Sequence, residues 1–199
     1  MALSKIQAES MNLADTYAFT GTVSGAGAMA VISTGTSATG LSDLQVTLPT
    51  SGYSVLDLHI FGYYSSTATD LYGYFQTSGG SYRTGSSDYA WTNVDRKYGV
   101  APSGATENTS AYMRFNYHSA SDLAAGANDY LFRFTNNAST SLRTQVFHMV
   151  GGDSGDSNHH AGFGSAMLNT AEANDKFKMV PQSGTFSHGG YVLYGLVSS

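Results

Sequence analysis

The stretch that most constrains this chain runs from Tyr53 to Tyr82, YSVLDLHIFGYYSSTATDLYGYFQTSGGSY. Its first arm sets Leu56, Leu58 and Ile60 on one side, with Asp57 and His59 between them. Its second arm sets Leu71, Gly73 and Phe75 on one side and Tyr72, Tyr74 and Gln76 on the other. Alternation with period two is the signature of strands with one buried face, and no helix can use it. Ser78-Gly79-Gly80-Ser81 closes the second arm with turn formers. The pattern predicts an antiparallel pair at the centre of a β-sandwich.

The remaining composition agrees with sheets. Charged residues make up 12% of the 199 residues, against a usual ~25%, and 23 Gly, 14 Tyr and 10 Phe stand in their place. Glycine, serine, threonine and aromatic residues are middling or poor helix formers. A chain of this length buries roughly 70% of its unfolded surface, enough to stand without staples. There is no cysteine, which removes disulfides, thiolate metal ligands and cysteine nucleophiles together. The net charge is −5 with nine scattered Lys and Arg, a poor match to a phosphate backbone, so nucleic acid is not an expected partner. No apolar run reaches the ~20 residues of a membrane-spanning helix, so insertion is not expected either. The opening MALSKIQAESMNLADTY lacks the apolar core of a secretory signal, and assembly in the cytoplasm is the expectation.

Residues 1–16 are the one stretch with helical character. Leu3, Ile6, Met11 and Leu13 form a loose apolar face suited to an attachment arm, because so short a helix is marginal alone. Residues 17–199 are expected to form the sandwich domain. Tyr17–Val23 and Ala28–Ser33 read as strands, Ser33–Gly40 as a loop or weak edge hairpin, and Leu41–Leu48 as a strand closed by Pro49. Asp88–Trp91 reads as a short strand, and 94–109 as an exposed excursion. Three strong runs follow. One carries Met113, Phe115 and Tyr117, the next Tyr130, Phe132 and Phe134, and the third spans Leu142–Val150. Gly151–His160 reads as a second exposed loop, and Lys176–Val180 and Tyr191–Val197 close the chain as strands. Ten to twelve short strands without intervening helices predict an all-β, antiparallel, jelly-roll-like sandwich with a short N-terminal arm.

Several local patterns resemble a β-sandwich domain of tailed-bacteriophage virion proteins: tail fibres, head appendages and decoration proteins. These are Tyr53-x-x-Leu56-x-Leu58-x-Ile60 with Asp70-Leu71-x-x-x-Phe75 and Ser78-Gly79-Gly80-Ser81-Tyr82, then Asp88-Tyr89-x-Trp91. The third is Ser183-Gly184-Thr185-Phe186-Ser187-x-Gly189-x-Tyr191-x-Leu193-Tyr194-Gly195-Leu196, and the opening Met1–Ile6 is similar to the starts of such proteins. The resemblance covers most of 50–199 and implies a non-enzymatic structural protein, a homotrimer, docked on other virion proteins. A tail fibre or external appendage is favoured over a capsid decoration protein. It carries over no catalytic residue, no metal ligand and no cofactor. Loops such as 94–109 and Gly151–His160 are where partner or receptor specificity is expected.

Other constellations compete with that reading. Gly152-Asp153-Ser154-Gly155 matches the nucleophile loop of serine proteases, but no histidine in a fitting context precedes it. His159-His160 with Asp153 and Asp156 offers donors to a divalent ion, although neighbours on a strand point to opposite faces. Asp57 with Asp70 is a candidate carboxylate pair for a glycan depolymerase, each also fitting a solvent-facing position or a turn end. Tyr82, Arg83, Tyr89 and Trp91 are the candidate platform for a host-surface glycan or other receptor, as in a carbohydrate-binding module. His118 and His148 fall in strand patterns and are expected to pack within sheets.

Overall fold

The computed structural model describes residues 29–116, 127–153 and 159–197. The expected arm of 1–16, with Leu3, Ile6, Met11 and Leu13, lies outside them, as do the 17–23 strand, Tyr117 and His118. Twelve strands occur among the described residues: β1 (Met29–Leu41), β2 (Leu44–Thr47), β3 (Tyr53–Ser65), β4 (Leu71–Thr77), β5 (Tyr89–Lys97) and β6 (Ser103–Ser110), then β7 (Met113–Arg114), β8 (Asn128–Thr135), β9 (Gln145–Asp153), β10 (His159–Leu168), β11 (Asn174–Pro181) and β12 (Phe186–Val197). They form two antiparallel sheets, eight strands in the order β1-β12-β3-β8-β9-β10-β5-β6 and four in the order β2-β11-β4-β7.

The pairings β1·β12, β2·β11, β3·β8 and β4·β7 are nested, and they fall alternately in the large and the small sheet. A long antiparallel ribbon rolled onto itself produces this order, which is the jelly roll. Two hairpins, β5–β6 and β9–β10, are spliced into the roll and widen the large sheet. The expected all-β antiparallel sandwich is the observed architecture.

Four local expectations are corrected. The two arms of Tyr53–Tyr82 are not a hydrogen-bonded pair: β3 pairs with β12 and β8, and β4 pairs with β11 and β7. Alternation marks one buried face on each arm but carries no information about which strand lies alongside. Ser33–Gly40 is strand, the second half of β1, held along β12 with register shifts between Val31 and Ser33 and between Ala38 and Leu41. The 94–109 excursion is the edge hairpin of β5 and β6, whose outer strand is polar because little covers it. Of the expected Gly151–His160 loop, the described residues are strand, Gly151–Asp153 ending β9 and His159 and His160 beginning β10.

Phenylalanines hold the sheets together. Phe132 and Phe134 of β8 meet Phe177 of β11 at ring-centroid distances of 5.4 and 5.0 Å, and Phe115, just after β7, lies 4.8 Å from Phe132. All four are fully buried. Gly73 sits on the buried side of β4 because a Cβ there would run into the Phe115 ring and come within 3.1 Å of Phe177. His148 of β9 packs edge-on to Phe115 at 5.1 Å. Burial lowers its pKa from the ordinary 6.5 to about 4, against a weaker opposing pull from the Phe115 backbone.

Replacing Gly73 with Ala is expected to destabilise the fold by about 1–3 kcal/mol, read as a lower urea midpoint, because the ring cannot retreat without disturbing Phe177. His148 generates a pH dependence. The folded chain keeps the imidazole neutral while the unfolded chain takes up a proton below pH 6.5. Its contribution is therefore complete above pH 6.5 and is lost as the pH falls toward about 4, up to ~3 kcal/mol in all. Urea titrations of wild type and His148→Leu at several pH values check this, the variant showing the shallower decline.

Candidate interaction surface

Eight strands in register carry their side chains in rows across the sheet, with alternate rows facing in and out. On the outer side of the large sheet one row runs Val94, Phe163, Met149, Leu131, His59, Val192, with Gly104 and Thr34 at its ends. The next contains Ser165, Phe147, Arg133, Asp57, Tyr194 and Val31. A third contains Ala90, Met167, Gln145, Val55, Leu196 and Met29. In the three rows the charged side chains are Asp57 and Arg133. Phe163 is 63% exposed, Met149 60%, Val31 60% and Phe147 49%. Phe163, Met149 and Phe147 stand side by side on β9 and β10, with Val31 at the far end of the second row. Large apolar groups this open and contiguous are not the scattered exceptions of an ordinary surface.

The local cause of this face lies in β10. Its inward positions are His160, Gly162, Gly164, Ala166 and Leu168, all but Gly164 buried, and its outward ones include Phe163 and Met167. A Cβ on Gly162 would collide with the Asp95 carboxylate, and one on Gly164 would come within 2.6 Å of His148 and also strike the Thr92 carbonyl. The interior has no room there, so the strand carries its bulk outward. Sequence reading missed β10 for this reason: its alternation is reversed, small inside and large outside.

Asp57 and Arg133 face each other on neighbouring strands. Arg133 donates Nε to Oδ1 at 2.8 Å and Nη2 to Oδ2 at 2.6 Å, a bidentate pair. The bond raises the guanidinium pKa further. Asp57, expected to face solvent, is only 5% exposed, because Arg133 and its neighbours cover it. The pair borders an open depression of about 420 Å³ walled by Met29, Val31, His59, Leu131 and Tyr194.

The small sheet presents a different outer surface. Lys178 lies over the rings of Tyr82 and Tyr74, at 4.3 and 5.1 Å from their centroids, and Tyr72 stacks on Tyr112 at 3.9 Å. The Tyr82 hydroxyl donates to Gln45 at 3.0 Å. This is where the structure places Tyr82 of the expected receptor platform. Arg83 is held by Glu172, with Nε donating to Oε1 at 2.6 Å. Tyr89 and Trp91 are core residues, at 0% and 6% exposure. The Tyr89 hydroxyl accepts from the Phe75 amide at 2.8 Å and donates to the Arg83 carbonyl at 3.2 Å, tying β5 to the small sheet. The four residues therefore do not come together as one stacking face. The aromatic group that does form includes Tyr74, whose outward position in the alternation was the available signal.

The remaining constellations are separated too. Asp57 belongs to the large sheet, whereas Asp70 pairs with Arg114 at 3.0 Å beside the small one, its carboxyl pKa pushed up by burial against the arginine's pull. His159 is exposed and His160 buried, on opposite faces of β10. No group of three or more His, Asp or Glu able to hold a metal ion occurs among the described residues. Ser154 and Asp156 lie outside them. No family model matches the chain, and no curated protein matches it.

Arg133→Ala is expected to cost about 1–3 kcal/mol by leaving the covered Asp57 carboxylate without its partner. Asp57→Leu combined with Arg133→Leu should recover most of that loss in chemical denaturation, since the covered carboxylate is then gone together with its partner.

Proposed function

We propose that the chain is a structural protein of a bacteriophage particle, a non-enzymatic tail fibre or external appendage that acts by shape and contact. The observation that carries this reading is a patch on the outer face of the large sheet, three rows of side chains in which the charges are one internally neutralised pair. A surface of that chemistry is suited to burial against protein. The likeness to virion sandwich domains in the Tyr53–Tyr82 and Ser183–Leu196 motifs supplies the particle context, other virion proteins as partners and a homotrimer as the assembly. A capsid decoration protein is the alternative within the same class. Attachment is assigned to residues 1–16 through Leu3, Ile6, Met11 and Leu13.

Contact with a host-surface glycan is the second reading, and one feature favours it. Tyr74 and Tyr82 flank Lys178 on the polar face of the small sheet, rings and hydrogen-bonding groups side by side. Tyr89 and Trp91 would have to leave the core to take part.

Mass spectrometry and cryo-electron reconstruction of purified particles test the main reading. The expected result is this chain at a copy number set by the particle's rotational symmetry, with release when residues 1–16 are deleted. Its absence from particles, or turnover of a polysaccharide abolished by replacing one carboxylate, overturns it.

A further inference from the structure

We infer that the outer face of the eight-stranded sheet is where copies of this chain pack on one another around a symmetry axis. This deepens the assembly reading above and rests on it for its biological setting, but the geometry is independent of where in a particle the chain sits. Seven strand spacings of ~4.8 Å make the face about 34 Å wide, and three rows at ~6.8 Å make it about 20 Å deep, roughly 700 Å². A partner in a standard stable interface contributes ~800 Å², so the face is of the size an oligomer needs. It is far broader than an extended peptide or a single sugar would cover.

Charge selects the occupant. The chain carries −5 overall, so two copies repel through most of their surfaces. Within the three rows the repulsion is absent, because Asp57 and Arg133 cancel each other within one subunit and the other positions are uncharged or carry His59. The next row along adds one residue of each sign, Arg96 on β5 and Asp129 on β8. Like face can meet like face without opposing equal charges. Within these rows a phosphate-rich or acidic partner meets one cation, Arg133, already held by Asp57, and Arg96 lies beyond their edge. Sheet faces also stack readily at ~10 Å with interdigitating side chains, and Phe163, Met149 and Phe147 stand where such interdigitation begins.

The test is the solution mass of the full chain, by light scattering and sedimentation across the micromolar range, together with hydroxyl-radical footprinting of Met149 and Phe163. A mass of two or three chains is expected, with both residues protected. Met149→Glu with Phe163→Glu should weaken association by roughly tenfold or more while leaving circular dichroism and melting unchanged. Lys176→Glu, on the small sheet, should leave the mass as it was. Association that survives the paired substitution overturns the inference. So does a monomer, whether its face is protected by the chain's own leading residues or open to a foreign protein or glycan. Monomeric chain that is nonetheless a component of particles defeats this inference alone; self-associating chain absent from particles defeats the virion reading alone.

Discussion

The contact between Phe132 and Phe134 on one sheet and Phe75 and Phe177 on the other is what the two-layer structure depends on. Ring centroids lie 5.0 to 6.0 Å apart in tilted and edge-on pairs, Phe134 meeting both Phe177 and Phe75. Each buried ring contributes on the order of 1.5–3 kcal/mol through area alone, and the edge-on geometry adds to that. The strands supply hydrogen bonds along each sheet, but nothing in a ladder joins one sheet to the next. Side chains must do so, and phenylalanines stand at the centre of that contact.

The large sheet is twice as many strands wide as the small one, and the overhang changes the interior. Beneath β8 and β3 the core is aromatic and aliphatic. Toward β10 and β5 it contains Asn93, Asp95, His148 and His160, all buried. The segment at β7 backs this region, with Asn93 donating to the Arg114 carbonyl at 3.3 Å and Asn116 accepting from the Leu71 amide at 2.7 Å. Glycine at 162 and 164 leaves room for the Asp95 carboxylate, the His148 ring and the Thr92 carbonyl against the β10 backbone. The same crowding turns Phe163 outward. Interior polarity and exterior greasiness in this half of the sheet have one cause.

Legibility in the sequence followed burial. Where inward positions are large and apolar, as in β3 and β8, alternation located the strand and its buried face: Leu56, Leu58, Ile60, Tyr130, Phe132 and Phe134 are all in the core. Where inward positions are glycine or polar, as in β10 and the second half of β1, alternation is silent or inverted. Strand pairing was illegible throughout, because period-two patterning has no term for the neighbour, and so β3 and β4 read as partners when they belong to different sheets. The four residues of the expected receptor platform lie apart for a related reason. Tyr89 and Trp91 occupy the inward positions of β5, and sequence spacing did not distinguish the side facing Phe75 from the side facing solvent. The face with Phe147, Met149 and Phe163 needed the register of six strands before it existed as a surface at all.

The nested pairing also sets an order of events during synthesis. In the large sheet β12 lies between β1 and β3, so these two strands share no hydrogen-bonding contact in the sheet and are joined only when β12, the last of the described strands, arrives between them. Until then both present open edges, and β1 carries Met29, Val31 and Ile32 along one of them. A nascent chain of this topology has to wait with its edge strand β1 detached from the rest of the sheet, and the insertion of β12 is the step that joins it.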